Sequence, residues 1–259
     1  MKLPFLLLMA VAFALTSCLE MKSVVIVSKD GTATIEETVV LGPQLTAMMQ
    51  GGQAGQLKEL IMDKTQAAER AKTLGEGVTV KSYEELKPAD GKSGVKIVYA
   101  VADLSKLKYE PYIPEQEDDK SDTGPDAMTF ALQGSTLTIT SLEAKDKKSG
   151  EAKGQESPDE IAMMKSQVAM MKPMLAGMRM SVEVKAANGF ASSDAAHLSN
   201  DTISFLELQF DKFTNNMDVL SSLIDAAQDD MSMADAAVKF KNVDGIKIEG
   251  KHVVKAELK

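Results

Sequence analysis

Val24-Val25-Ile26-Val27-Ser28-Lys29-Asp30-Gly31-Thr32-Ala33-Thr34-Ile35 is the stretch on which the fold turns. Four consecutive β-branched residues favour an extended chain, because their stiff side chains fit a pleated surface. Asp30-Gly31 is a turn signal, since glycine tolerates the positive φ that tight hairpins demand. Downstream, Ala33, Ile35, Val39 and Leu41 alternate with Thr34, Glu36 and Thr38, which builds a strand with one apolar face. Residues 22–41 therefore read as a β-hairpin whose apolar side needs a covering layer.

Working outward, Gly42-Pro43 stops the second strand and residues 44–74 read as helical, interrupted by Gly51, Gly52 and Gly55. Leu57, Leu60, Ile61, Ala68, Ala71 and Leu74 recur at three- and four-residue steps, the mark of an amphipathic helix over 56–74. Gly75 and Gly77 end it. Val78–Leu86 and Val95–Val101 read as strands around Lys87-Pro88-Ala89-Asp90-Gly91, with Val95, Ile97, Tyr99 and Val101 sharing a face. Residues 110–126 form an acidic loop, and 128–139 a further hairpin around Gly134. Residues 144–158 lack any apolar side chain larger than Ala and read as a solvated, flexible connection.

A methionine-rich helix is expected over 159–175. Met178, Met180, Val182 and Val184 then alternate with Arg179, Ser181, Glu183 and Lys185, a half-buried strand. A polar loop runs through Asn188-Gly189 and Asn200-Asp201, Ile203–Phe210 is a strand, and Phe213–Ala227 an amphipathic helix. The tail reads as short strands at Val238–Phe240, Ile246–Ile248 and Val253–Leu258. Hairpins alternating with single helices define an α+β class. The expected form is a mostly antiparallel sheet with helices at 56–74, 159–175 and 213–227 packed on one face.

The N-terminus tells a different story. Lys2 precedes an apolar run from Leu3 to Leu15, shorter than the ~20 residues a membrane-spanning helix needs but of signal-peptide length. The run ends in Leu15-Thr16-Ser17-Cys18, which resembles the lipobox of bacterial lipoproteins, with Ser17 where Gly or Ala is commoner. That resemblance implies cleavage before Cys18 and a diacylglyceryl group on its thiol. Residues 1–17 would be the signal peptide and 18–259 one α+β lipoprotein domain. Ordinary signal cleavage after Ala12-Phe13-Ala14 is the competing reading. Cys18 is the single cysteine, so no intramolecular disulfide is available. Leu19, where an aspartate would retain a lipoprotein in the inner membrane, favours the outer membrane, facing the periplasm. Hairpin–helix–hairpin, then Met178–Val184 and Ile203–Phe210 joined by a polar loop, resembles the LppM-type domain of envelope lipoproteins over residues 20–215. Relatives often carry a C-terminal transmembrane helix, which no segment of this chain is long and apolar enough to form.

Removing residues 1–17 deletes one charge, Lys2, so the formal charge moves from −9 to −10. Such an acidic chain is poorly suited to nucleic acid. Gly91-Lys92-Ser93 matches the end of a P-loop, but Leu86 stands where its first glycine belongs, and strands flank it on both sides. A hairpin turn is the better reading. From Asp119, oxygen-bearing side chains fall at calcium-loop spacing, yet Phe130 occupies the place of the bidentate glutamate. His197 and His252 are the two histidines, and no HExxH, CxxC or GxSxG occurs.

Met163, Met164, Met170, Met171, Met174, Met178 and Met180 are the densest unusual feature. Thioethers suit Cu(I), which makes soft-metal binding over 163–180 an alternative. Ile161, Met164, Val168, Met171 and Leu175 step by three and four, so a core stripe explains most of them, with Met163 and Met170 at its margin. The expectation is a non-enzymatic, lipid-anchored binding or structural module. It needs no cofactor, its membrane contact is through the lipid, and its protein or apolar partner is not named by the sequence. Carboxylate chemistry invisible to sequence is the second alternative.

Overall fold

A computed structural model describes residues 19–50, 61–87, 91–112, 127–142, 175, 177–228 and 231–259. The opening hairpin is β1 (Leu19–Val27) and β2 (Ala33–Leu41), antiparallel in register from Leu19 opposite Leu41 to Val27 opposite Ala33. Next come helix α1 (Pro43–Gln50) and helix α2 (Lys64–Leu74). Strands β3 (Val78–Leu86) and β4 (Ser93–Val101) form the second hairpin, followed by the short β5 (Lys108–Tyr109). The third hairpin is β6 (Ala127–Gln133) and β7 (Thr136–Leu142). The second half holds β8 (Arg179–Ala186), β9 (Phe190–Ser193), β10 (Leu198–Ser199) and β11 (Thr202–Gln209). Helices α3 (Phe210–Phe213), α4 (Met217–Gln228) and α5 (Met233–Lys239) precede β12 (Ile246–Ile248) and β13 (Val253–Leu258).

The strands form two sheets. The larger has the order β10-β11-β8-β1-β2-β4-β3, with β12 added to β11; the smaller is β5-β6-β7-β13-β9. All pairings are antiparallel except β1 with β8, which run parallel from Glu20 opposite Arg179 to Val27 opposite Ala186. The fold is thus α+β and mostly antiparallel. All four expected strand regions, 24–41, 78–101, 178–184 and 203–210, meet in the larger sheet.

Alternation along that sheet sends Val25, Ile35, Ile97, Tyr99 and Val184 to an inner face where each is fully buried. Each such aliphatic side chain stabilises the fold by ~1.5–3 kcal/mol. The outer face is solvated and carries ion pairs, Lys22 with Glu183 at 3.0 Å and Lys96 with Glu36 at 2.9 Å. The inner face shares one continuous core with Met128 and Phe130 of β6, Leu137 and Ile139 of β7 and Val254 of β13. A second sheet therefore supplies much of the cover, and α2 packs along β3 beside it.

Details differ from the sequence reading. The buried stripe of α2 is Ala67, Ala71 and Leu74, not Ala68, because Arg70 on the same face must reach a carboxylate inside the sheet. Helix α2 starts at Lys64, where Asp63 accepts from the Gln66 N–H and Gln66 returns the bond. Val238–Phe240 is not a strand. The Ser232 hydroxyl accepts from the Asp235 N–H, and a helix through Ala234, Ala236 and Ala237 runs to Lys239. The helix expected from Phe213 is split, with Asn216 receiving the Val219 N–H at the start of α4. The loop after β8 contains β9, which pairs with the C-terminal strand and shows one large apolar residue, Phe190. In β11 a bulge between Ser204 and Leu206 buries the neighbours Phe205 and Leu206 together, which simple alternation does not foresee. Of the expected methionine helix over 159–175 only Leu175 is described, and of the expected loop over 110–126 only residues 110–112; the connection over 144–158 and residues 56–60 of the first expected helix lie outside the described residues.

Candidate functional site

The lipobox residues Leu15, Thr16, Ser17 and Cys18 lie outside the described residues. The next residue, Leu19, already opens β1, an interior strand of the larger sheet. Register locates what surrounds that end. Leu41 of β2 stands opposite Leu19, Ser93 of β4 opposite Leu41, Arg179 of β8 opposite Glu20, and Gln209 of β11 opposite Arg179. Helix α1 leaves the sheet just after Leu41, and α3 and α4 follow Gln209. Just before β8, the Met178 N–H donates to the Leu175 carbonyl at 2.9 Å. Leu19 therefore stands at the end of the sheet from which helices leave, opposite the Asp30-Gly31 turn.

The strongest polar constellation is elsewhere, inside the core. Glu37 lies on the inner face of β2, opposite Ser23 of β1, and is 2% exposed. Arg70 descends on it from α2: Nε donates to Oε2 at 2.8 Å and Nη2 donates to Oε1 at 2.5 Å. The same Nη2 donates to the Glu110 carbonyl at 2.6 Å, and the guanidinium sits 5.4 Å from the Tyr112 ring centre. Burial works to lower the Arg70 pKa; its hydrogen bond and charge attraction to Glu37 outweigh burial, and the net shift is upward. Arg70 thus stays charged at any physiological pH.

Tyr99 of β4 and Tyr109 of β5 complete this centre. Burial, and then the negative Glu37, push both phenols above their ordinary pKa, so both are neutral. Tyr99 lies near Glu37 and Tyr109 near Ser23, yet among the described residues neither hydroxyl meets a partner at hydrogen-bonding geometry. Chemically the centre ties rather than reacts. Both Glu37 oxygens receive Arg70, leaving no free carboxylate poised as a base. The pair joins α2, β2 and the chain after β5 in a single clasp. The sequence held a signal for it: Glu37 falls in phase with Ala33, Ile35, Val39 and Leu41, where a charge must find a buried partner.

A shallow groove opens between the sheets, lined by Met128, Val182, Phe205, Leu206, Met233 and Glu249, among others. Glu249 is 3% exposed, but its oxygens accept the N–H groups of Ala196 at 2.6 Å and Lys251 at 3.1 Å, so its charge holds two loops. Gly91 and Lys92 precede β4, whose first residue is Ser93, and among the described residues no helix begins there. His197 Nε2 is 3.2 Å from the Ile248 carbonyl, and His252 is exposed. Among the described residues, no group of three His, Cys, Asp or Glu side chains could hold a metal ion. Of the methionines offered as soft ligands, Met178 and Met180 are half-buried, and Met163, Met164, Met170, Met171 and Met174 lie outside the described residues. Among the described residues no helix is long and apolar enough to cross a membrane.

No family model matches the chain, and no curated protein matches it in sequence. In fold it is similar to the folded domain of LppM from Mycobacterium tuberculosis, solved by NMR. That similarity has 9% identity over 76% of this chain and 85% of the other, with a TM-score of 0.33.

Proposed function

We propose that the protein is a non-enzymatic envelope lipoprotein, a lipid-anchored α+β module that binds or positions a partner at the membrane surface. The observation that carries this reading is Leu15-Thr16-Ser17-Cys18 at the end of a short apolar run, the chain's single cysteine standing directly before a core strand. A diacylglyceryl group there, joined by a further acyl chain, makes attachment stable, since each buried CH₂ contributes ~0.8 kcal/mol and one chain alone binds only marginally. Leu19 in place of an aspartate supports the outer membrane, facing the periplasm. The non-enzymatic part is supported by the Glu37–Arg70 centre, whose charged groups satisfy one another. Cys18→Ala tests the anchor: the variant is expected in the soluble or uncleaved fraction, while the parent stays with membranes and its mature N-terminus carries lipid mass. An unmodified chain beginning at Leu15 would overturn the reading.

A further inference from the structure

We propose that the outer face of the larger sheet is the interface of a homodimer, two copies packing sheet against sheet across a two-fold axis. This goes beyond the lipid anchor and does not depend on it. The first ground is a patch that the core does not use. Among the described residues, Val24, Ile26, Val40 and Val98 lie on the outer face and stand apart from the continuous core. Val24 is nevertheless only 5% exposed. Glu36 and Glu183 flank it on the neighbouring strands. Their ion pairs, with Lys96 at 2.9 Å and Lys22 at 3.0 Å, hold these long side chains along the sheet rather than out into water. The result is a flat face of β-branched side chains and recumbent ion pairs, a form that suits stacking on another sheet at about 10 Å.

Size is the second ground. Strands β11, β8, β1, β2, β4 and β3 are neighbours in that order, each of eight or nine residues. At about 4.8 Å between strands and about 3.3 Å per residue, their outer face measures about 29 Å by about 27 Å. That is roughly 800 Å², the share each partner gives to a stable interface.

Charge selects the occupant. Lys22 and Lys96 lie in one row across the strands, with Thr38 between them. Glu183 and Glu36 lie in the next row, with Val24 between them. The rows are about 7 Å apart, two residues along each strand. A two-fold axis running across the strands between them sets the lysine row of each copy over the glutamate row of the other. One surface thus carries both halves of the contact, as an isologous interface requires. These four side chains carry no net charge, whereas the chain has a formal charge of −9, so the face brings two acidic chains together without opposing like charges. A strongly basic or acidic partner gains little from it.

Sedimentation equilibrium of the full chain tests this, in a detergent matched to the solvent density and at less than one chain per micelle, so that neither micelle nor shared micelle adds mass. We expect twice the mass of one chain. V98K places an unpaired charge within the contact and should weaken association about tenfold or more, with the melting temperature unchanged because Val98 lies off the core. E36K/K96E keeps that ion pair within the chain but mixes the signs in both rows. It should weaken association likewise, and it serves as the test should V98K fail to fold. T138K, on the outer face of the smaller sheet, should dimerise as the parent does. A monomeric parent overturns the proposal, and so does a folded V98K or E36K/K96E that associates with the parent's affinity. A T138K chain that dissociates as readily as V98K would place the contact elsewhere and overturn it too.

Discussion

Glu37 shows what one charged side chain does in a core. It is 3% exposed at the side chain and its partner Arg70 13%, so water screens neither group well. Removing one member strands the other. Glu37→Ala is expected to cost ~3–5 kcal/mol in urea denaturation, because a buried guanidinium loses its compensating charge. Arg70→Met alone leaves the carboxylate stranded beside Tyr99 and costs a similar amount. The double variant E37A/R70M should recover most of either loss, since two apolar groups no longer need each other. Losses that simply add in the double variant would show that the two side chains are not coupled.

Among elements, the hairpins differ in how tightly the backbone is gripped. Gly94 in β4 runs against β2 so closely that a Cβ would lie 2.2 Å from the Val39 carbonyl oxygen, and backbone cannot step aside as a flexible side chain can. Gly31 at the β1–β2 turn has φ +83°, with nothing within 4 Å of the same imagined atom. Gly31→Ala should therefore cost only the left-handed conformation, ~1–2 kcal/mol. Gly94→Ala has to separate two interior strands and should cost ~4 kcal/mol or more. Thermal unfolding of the two variants ranks them; a lower midpoint for G31A than for G94A would mean the sheet yields more easily than its register implies.

At the scale of the whole molecule, closure falls to the last residues. Strand β13 lies between β7 and β9, with Val254, Ala256 and Leu258 buried, and the Lys259 N–H donates to the Gly189 carbonyl at 3.0 Å. Stopping the chain before Val253 bares the facing edges of β7 and β9 and opens the core between the sheets. That truncation is expected to abolish cooperative unfolding and elute as aggregate in size-exclusion chromatography. A monomer with a sharp transition would show that the smaller sheet is dispensable.

Local pattern determined much of this protein without tertiary help. Hairpins around Asp30-Gly31 and Gly134, the strand ending in Val182 and Val184, and the α+β class follow from alternation and turn chemistry, which act over a few residues. The Leu15–Cys18 pattern likewise lies in contiguous residues. Tertiary structure alone decided what local pattern does not encode. Beta pairing joins segments far apart in the chain, so nothing near Val25 announces its parallel neighbour Val184, and nothing near Phe190 announces Leu258. The Glu37–Arg70 clasp spans 33 residues: alternation places Glu37 on the apolar face of β2, but only the tertiary structure brings Arg70 to it. The same holds for the helices that leave the Leu19 end of the larger sheet. Their place follows from strand direction and register, which long-range hydrogen bonds set and no single segment contains.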